Sequence, residues 1–265
     1  MNDGSPRRIV DGITVVKMNG TGNEFVLVDE RFTPLADAVG FAVRVCDPVT
    51  SLGADGLLVV GNAAAGDARM RIINADGSEA EMCGNGIRCV ARYLDEHDGE
   101  SPVVIETVAG PIRARVLDRD PYRIAVEMPA PRLGTPFEVA GGFAATPVDV
   151  GNPHVVIRVD AVDAIDPALV GPPIEHDPQY PQGTNVHFVS WDGAAWRVRH
   201  WERGAGATQA CGTGAVAVAA VLIAAGDAAS PVTLQVPGGA LEVAWTPGEP
   251  ATLTGDAVRE FEMLV

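Results

Sequence analysis

Two cysteines in this chain are each followed by Gly-x-Gly and then by a helical pattern. Cys83 begins CGNG and Cys211 begins CGTG, 128 residues later. Glycines allow a tight turn and close approach to a ligand, and the N–H groups and dipole of a helix start favour negative charge. A thiol at such a position can have its pKa lowered from about 8.5 into roughly the 3.5–7.5 range. The motif therefore predicts thiols that do acid and base chemistry beside a bound carboxylate. For one CGxG alone, a packing role is an equal alternative.

The repetition extends well beyond the cysteines. A period near 130 residues indicates duplication of a whole domain, since it is too long for a solenoid repeat. The sequence therefore predicts two domains, 1–128 and 129–257, with the junction at the start of a Pro- and Gly-rich segment. The matched segments are residues 22–29 with 151–160, 70–77 with 198–205, and 105–114 with 234–243.

Duplication predicts a pseudo-twofold axis between the two helix starts. If both face one cleft, a substrate carboxylate receives N–H groups from both, and its α-carbon lies between a thiolate and a thiol. Proton removal from one face and delivery to the other inverts that carbon without a metal or pyridoxal phosphate (PLP). A PLP Schiff base would depend on Lys17, the single lysine of the sequence.

Composition narrows the partners and the location. The 265 residues carry a net charge of −16, which repels nucleic-acid phosphates and anionic lipid. The longest apolar run, residues 215–225, is about half of a bilayer span. The first twelve residues lack the apolar region of a signal peptide. Four cysteines are too few for a disulfide framework, so we expect a cytoplasmic protein with reduced thiols.

The remaining pattern favours an α+β fold of mainly antiparallel strands, because strands mostly follow strands without intervening helices. A helix is predicted over Leu35–Asp47, and a central Ala-rich helix over Gly212–Gly226 with Gly226 as its C-cap. Cys46 and Cys89 lie in apolar helical patterns and are predicted to be core residues.

Several polar positions match between the halves. Asn74 and Glu202 each lie nine residues before a cysteine, so equivalent strands end in different polar groups, as one substrate lying asymmetrically across a symmetric cleft requires. Arg203 follows Glu202; a surface ion pair is the alternative. Asn23 and Asn152 each follow a glycine, where a turn role is the alternative. His154 is either a core histidine or a group that tunes a thiol.

The sequence closely resembles the diaminopimelate epimerase family, PLP-independent enzymes that interconvert LL- and meso-diaminopimelate. The resemblance covers nearly the whole chain after about residue 13. Its motifs are MNGTGNEFVLVD, GADGLL, NADGSEAEMCGNGIRC, VGNPHVV, GTNVHFV, WERGAGATQACGTGA, VPGG and LTG.

This resemblance implies two similar domains, each with strands wrapped around a central helix, and return of residues 258–265 to the first domain. It also implies a homodimer, a cofactor-independent reaction, and roles for particular residues. Cys83 and Cys211 would be the acid and base, and His154 and Glu202 would modulate their pKa values. The substrate-binding residues would be Asn23, Asn74, Gly84, Asn85, Asn152, Asn185, Glu202, Arg203, Gly212 and Thr213.

Two other functions fit the cysteines. A racemase acting on histidine, proline or hydroxyproline would share the mechanism but differ at the distal end of the substrate. Glu202 and Arg203 favour a substrate with a second charged amino-acid end. A thiol redox or binding protein would instead join Cys83 and Cys211 as a disulfide, but the chain has no CxxC motif.

Overall fold

The computed structural model describes residues 12–265. They form two compact units: a first unit of the residues up to Val126 with Asp256–Val265, and a second unit of Glu127–Gly255. The structure thus divides the chain two residues before the junction predicted at 128/129, and it assigns the last ten residues to the first unit.

A central helix organises the first unit. This helix, α2, is 15 residues long and contacts six of the strands around it. Ile87, Val90 and Leu94 on it are fully buried, and it ends at Gly99, whose φ of 69° favours glycine. The elements are β1 (Thr14–Gly20), β2 (Asn23–Asp29), α1 (Ala38–Val45), β3 (Gly56–Gly61), β4 (Ala68–Asn74), β5 (Glu79–Ala80), α2 (Gly84–Asp98), β6 (Val103–Thr107), β7 (Gly110–Arg119) and β8 (Tyr122–Met128).

The second unit repeats this plan around α4. That helix is apolar on all sides, as a helix enclosed by strands must be, and it ends at Gly226 with φ 78°, the predicted C-cap. The elements are β9 (Arg132–Leu133), β10 (Phe137–Val139), β11 (Phe143–Asp149), β12 (Pro153–Arg158), α3 (Pro167–Glu175), β13 (Asn185–Trp191), β14 (Trp196–Trp201), α4 (Gly212–Ala225), β15 (Val232–Val236), β16 (Gly239–Ala244) and β17 (Ala251–Asp256).

Strand register is the same in both units. β2 pairs with β3 in parallel and β3 with β4 in antiparallel fashion, as β12 does with β13 and β13 with β14. Most other pairs are antiparallel, so the predicted α+β class with two similar halves is confirmed. Paired residues of β2, β3 and β4 therefore have structural counterparts in β12, β13 and β14.

The helix predicted over Leu35–Asp47 is shorter than expected. It spans Ala38–Val45, because the Asp37 side chain caps it by accepting from Gly40 N at 2.8 Å. The residues before Asp37 are thus left outside the helix.

The last strand, β18 (Val258–Leu264), belongs to the first unit. It pairs antiparallel with β1, from Leu264 opposite Thr14 to Val258 opposite Asn19. Within residues 12–265, each helix is too short or too polar to cross a bilayer.

Asp95 links α2 to the β7–β8 hairpin and gives a test of the first unit. Arg119 donates to its carboxylate from Nε at 2.9 Å and Nη2 at 2.6 Å, and the Tyr122 hydroxyl donates at 2.9 Å. The hydrogen bonds from Arg119, supported by Tyr122, hold the pKa of this buried carboxyl below its usual value. The carboxylate therefore stabilises the fold above its unfolded-state pKa, and this stabilisation is lost as pH falls through the lower, folded-state value.

We expect Asp95→Asn to lower the urea midpoint of unfolding at pH 7, and the difference from wild type to shrink below about pH 4. Urea titrations at several pH values measure it. Glu100→Gln, at an exposed position just after α2, is the control and should change little. An Asp95→Asn penalty that stays constant down to pH 2.5, about 1.4 units below the unfolded-state pKa, would show that the carboxylate charge contributes nothing.

Candidate active site

Cys83 is the N-cap of α2 in the first unit. Its backbone is extended (φ −145°, ψ 116°), and its sulfur accepts from Gly86 N at 3.5 Å. Cys83 is half-buried, whereas Gly84 and Asn85 behind it are buried. The structure thus places the sulfur at the positive end of a long helix, as predicted.

Asn23 and Asn85, both predicted to bind substrate, contact each other. Asn85 Nδ2 donates to Asn23 Oδ1, and Asn85 Oδ1 accepts from Arg88 Nη2 at 3.0 Å. The orientation of the Asn85 amide is therefore fixed on both sides. Asn74 instead joins a local turn, where its amide donates to Ser78 Oγ at 2.9 Å.

Arg88, on α2, was missed by the sequence analysis. It is fully buried, and its guanidinium donates to Asp256 O at 2.9 Å, Gly84 O at 3.3 Å and Thr21 Oγ1 at 2.7 Å. Burial lowers the pKa of Arg88, and attraction to Cys89, Asp256 and Cys83 opposes that change. A buried cation beside the helix start favours negative charge on Cys83. An arginine within the apolar stripe of α2 was the available signal.

Cys211 is the N-cap of α4 in the second unit. Its sulfur accepts from Gly214 N at 3.3 Å and lies 3.7 Å from Thr213 Oγ1. Here the helix start does not lower the thiol pKa. Burial raises the pKa of Cys211 well above its ordinary value, and the neighbouring Glu202 carboxylate raises it further. At this position, loss of water and a nearby anion outweigh the helix dipole, so Cys211 holds its proton.

Glu202 faces Cys211 and does not form a surface ion pair with Arg203. Its carboxylate accepts from Thr208 Oγ1 at 2.5 Å and from the Cys211 thiol. Burial raises the pKa of Glu202, and these two hydrogen bonds partly oppose the rise. Arg203 N donates to Asn185 Oδ1 at 3.0 Å, so the structure brings these two predicted substrate residues together.

His154 and Asn152 also lie together. His154 is fully buried on β12, and its Nε2 is 2.8 Å from Asn152 Oδ1. Its Nδ1 is 2.8 Å from Nε2 of His187, whose Nδ1 is 2.8 Å from Nδ1 of His200. Sequence reasoning missed His187 and His200, although their spacing in NVHFVSW and WRVRHW places them on one face of their strands.

Asn152 lies on the wall of a cavity of about 470 Å³ within the second unit, which Arg132, Asp149 and Tyr180 also line.

The other titratable candidates are paired or buried. Lys17 donates to Glu24 Oε2 at 2.6 Å and to Gly53 O. Cys46 and Cys89 are buried core residues, as predicted, and burial raises their pKa values to about 11 and about 12. Among residues 12–265, no three His, Cys, Asp or Glu side chains cluster as metal ligands.

Two units of one plan, each with a central helix capped by a cysteine, define the fold class of this protein. Solved structures share this fold. They include a phenazine biosynthesis protein of the PhzF family from Bacillus anthracis (TM-score 0.71, 18% identity, 96% of this chain and 98% of that one). A probable proline racemase from Agrobacterium radiobacter also matches (TM-score 0.69, 18% identity, 96% and 92%).

The chain belongs to the diaminopimelate epimerase family, whose model matches residues 15–133 and 146–260. A diaminopimelate epimerase from Sphingopyxis alaskensis is 40% identical over 260 residues, covering 93% of this chain and 94% of that protein. Another, from Carboxydothermus hydrogenoformans, is 42% identical over 266 residues, covering 93% and 97%.

The second glycine of each CGxG motif gives a test of the site's packing. A Cβ on Gly214 would lie 2.3 Å from His187 Cε1, whereas one on the equivalent Gly86 would meet only the end of the Leu58 side chain, at 2.9 Å. We expect Gly214→Ala to cost about 1–3 kcal/mol of unfolding free energy, which exceeds the helix propensity gained. Gly86→Ala should cost less.

Urea unfolding of both variants, and of Gly214→Ala in a His187→Ala background, measures this effect. Removing the ring should relieve most of the penalty, which appears as a coupling energy in the double-mutant cycle. Equal costs for Gly214→Ala with and without the ring would refute the close contact.

Proposed function

We propose that this protein interconverts LL- and meso-diaminopimelate by a cofactor-independent two-base reaction, for lysine and peptidoglycan precursor synthesis. The observation that carries the proposal is the presence, in a member of this family, of two like units that each begin their central helix with a cysteine. Relatives named diaminopimelate epimerase at 40–42% identity over more than nine-tenths of the chain support the substrate.

In the proposed reaction the substrate carboxylate binds at the helix starts. First-turn N–H groups of a helix lack intrahelical acceptors, so those of Gly84, Asn85, Gly212 and Thr213 suit a carboxylate. They also oppose the negative charge that grows on it as the α-proton leaves. One sulfur then removes the α-proton from one face, and the other delivers a proton to the opposite face.

The local charges suggest which cysteine has which role. Arg88, a cation, lies near Cys83, and its counterpart in the second unit is Val216. Glu202, an acid that accepts from the Cys211 thiol, has Asn74 as its counterpart in the first unit. We therefore assign the thiolate base to Cys83 and the thiol acid to Cys211 at the start of one direction of turnover. After turnover Cys83 carries the proton and Cys211 is the thiolate, so the reverse direction exchanges their roles.

The distal end of the substrate suits the polar groups beyond the cysteines. Arg203 is exposed and adjoins Asn185, and a guanidinium binds a carboxylate through two parallel hydrogen bonds. We place Asn23, Asn74, Asn152 and Asn185 with Arg203 as distal contacts. A substrate with one charged end, such as proline, would leave Arg203 without a carboxylate to bind. This argues against the proline and hydroxyproline alternatives.

We also infer a cytoplasmic protein that acts as a homodimer. The sequence has only four scattered cysteines and no CxxC motif, which suits a reducing compartment, and the family resemblance supports the dimer. The proposed partners are small-molecule amino acids, because the net charge of −16 disfavours nucleic acid and anionic membranes.

Isotope exchange tests the reaction. Incubation with LL-diaminopimelate in D₂O, without added PLP, should yield meso product with deuterium at the inverted α-carbon, read by mass spectrometry and NMR. Cys83→Ala and Cys211→Ala should each lower kcat by about 10³-fold or more. The control Cys46→Ala, at a buried position at the end of α1, should keep its activity. Racemisation of proline or histidine with LL-diaminopimelate untouched would overturn the substrate assignment and leave the mechanism standing.

The role of Glu202 is tested by pH dependence. Glu202→Gln removes a charge that raises the pKa of Cys211, so that pKa should fall toward its ordinary value. Because Cys211 acts while protonated, the alkaline limb of the kcat/KM profile should move to lower pH, and kcat should fall by roughly 10- to 100-fold. Glu249→Gln, at an exposed position, should leave the profile unchanged. An alkaline limb that does not move in Glu202→Gln would remove Glu202 from this role.

A further inference from the structure

Three histidines form a buried hydrogen-bonded chain in the second unit. His154, His187 and His200 lie on the adjacent strands β12, β13 and β14, and each is at most 1% exposed. The contacts run from His200 Nδ1 to His187 Nδ1, from His187 Nε2 to His154 Nδ1, and from His154 Nε2 to Asn152 Oδ1, each at 2.8 Å. The chain thus leads from the interior of the unit to a residue on a cavity wall.

The fold itself does not require these histidines. The shared register gives each a counterpart in the first unit: Phe25 for His154, Leu58 for His187 and Ile72 for His200. All three counterparts are buried and apolar. Three histidines at the same places in the second unit therefore point to a function.

The hydrogen bonds that link the three histidines all run in one direction, from donor to acceptor. Burial lowers the pKa of His154 and of His200 to about 3, and that of His187 well below its ordinary value, so each ring is neutral and has one N–H. If His187 donates to His154, then His154 must donate to Asn152 and His200 must donate to His187. The opposite direction requires Asn152 to present its NH₂ group to His154.

The observed geometry selects the first direction. Asn152 turns its carbonyl oxygen to His154 Nε2, which needs an N–H at that atom. In this direction the first donor is His200, and its Nε2 carries no hydrogen. That Nε2 is the one buried side-chain nitrogen or oxygen among residues 12–265 without a hydrogen-bond partner. Reversal would leave a buried N–H there, and orphaned N–H donors are rarer in proteins than under-satisfied acceptors.

We propose that His187 and His200 are positioning residues that hold His154 as its Nε2–H tautomer and so turn the Asn152 NH₂ group toward the ligand. This inference rests on the proposed function, in which Asn152 contacts the substrate. An NH₂ group can only donate, so the ligand group recognised there is an acceptor, which fits the distal carboxylate of a diamino diacid. His187 and His200 act through His154 and Asn152 without contacting the ligand.

NMR of protein with ¹⁵N-labelled histidine tests the tautomers without substrate. Long-range ¹H–¹⁵N couplings distinguish protonated from bare ring nitrogens, and the chain has five histidines to assign. We expect N–H at Nε2 of His154, Nε2 of His187 and Nδ1 of His200. The N–H at Nδ1 of His154 in the wild type would overturn the proposal, whatever the enzyme's substrate.

A double variant tests the consequence for binding. His187→Leu with His200→Ile copies the first unit, so the protein should fold, which a cooperative urea transition checks. We expect a mixture of His154 tautomers and a KM for LL-diaminopimelate raised by about tenfold, with kcat within about threefold of wild type. An unchanged KM would overturn the proposal.

A matched pair at one position separates the hydrogen bond from packing. His200→Asn places an amide NH₂ near the position of the ring Nδ1–H, and it should restore the His154 tautomer and a KM near wild type, whereas His200→Ile should not. Equal KM values in these two variants would overturn the proposal. If the double variant does not fold, the comparison of His200→Asn with His200→Ile tests the proposal in its place. If the wild type does not act on diaminopimelate, the proposed function fails, and the tautomers alone decide the direction of the chain.

Discussion

The hydrogen bond from a glycine N–H to a cysteine sulfur at the start of a central helix is the interaction on which the site depends. Gly86 and Gly214 make it in the two units, and the bond sets the sulfur at the positive end of a helix that strands enclose. The packing requires a glycine at position 214, because a side chain there would overlap the His187 ring. Gly214 therefore permits the backbone turn, donates its N–H to the Cys211 sulfur and leaves room for the His187 ring.

Duplication supplies the geometry, and substitution within the duplicate supplies the chemistry. Strand register is the same around both helices, so each change of residue type between the units can be attributed to function more readily than to fold. The first unit places the cation Arg88 where the second has Val216, and the second places Glu202 where the first has Asn74. Opposite charges beside two similar thiols favour opposite protonation states, which a two-base inversion needs before the substrate arrives.

Much of the fold could be predicted from the sequence, because repeats and glycines are local signals. The positions of α2 and α4 and the C-cap at Gly226 depend on such signals. The length of α1 depended on whether Asp37 or an earlier residue would cap it, which periodicity does not decide. For Arg88 the one local signal is a charge within the apolar stripe of α2. Its contacts, and those of His187 and His200, come from neighbouring strands and turns, and no pattern along the chain encodes them.

The pKa of Cys211 shows why the protonation of a thiol cannot be deduced from its helix position. A helix dipole contributes about 0.3–2 kcal/mol, whereas removing a group from water costs several kcal/mol once it is charged. At Cys211 burial is nearly complete and the Glu202 carboxylate accepts a hydrogen bond from the thiol, so the second effect exceeds the first. Cys83 has the same backbone geometry but is half-buried and has a buried guanidinium nearby. The two equivalent N-caps therefore differ in their surroundings, and at Cys211 those surroundings oppose the helix dipole.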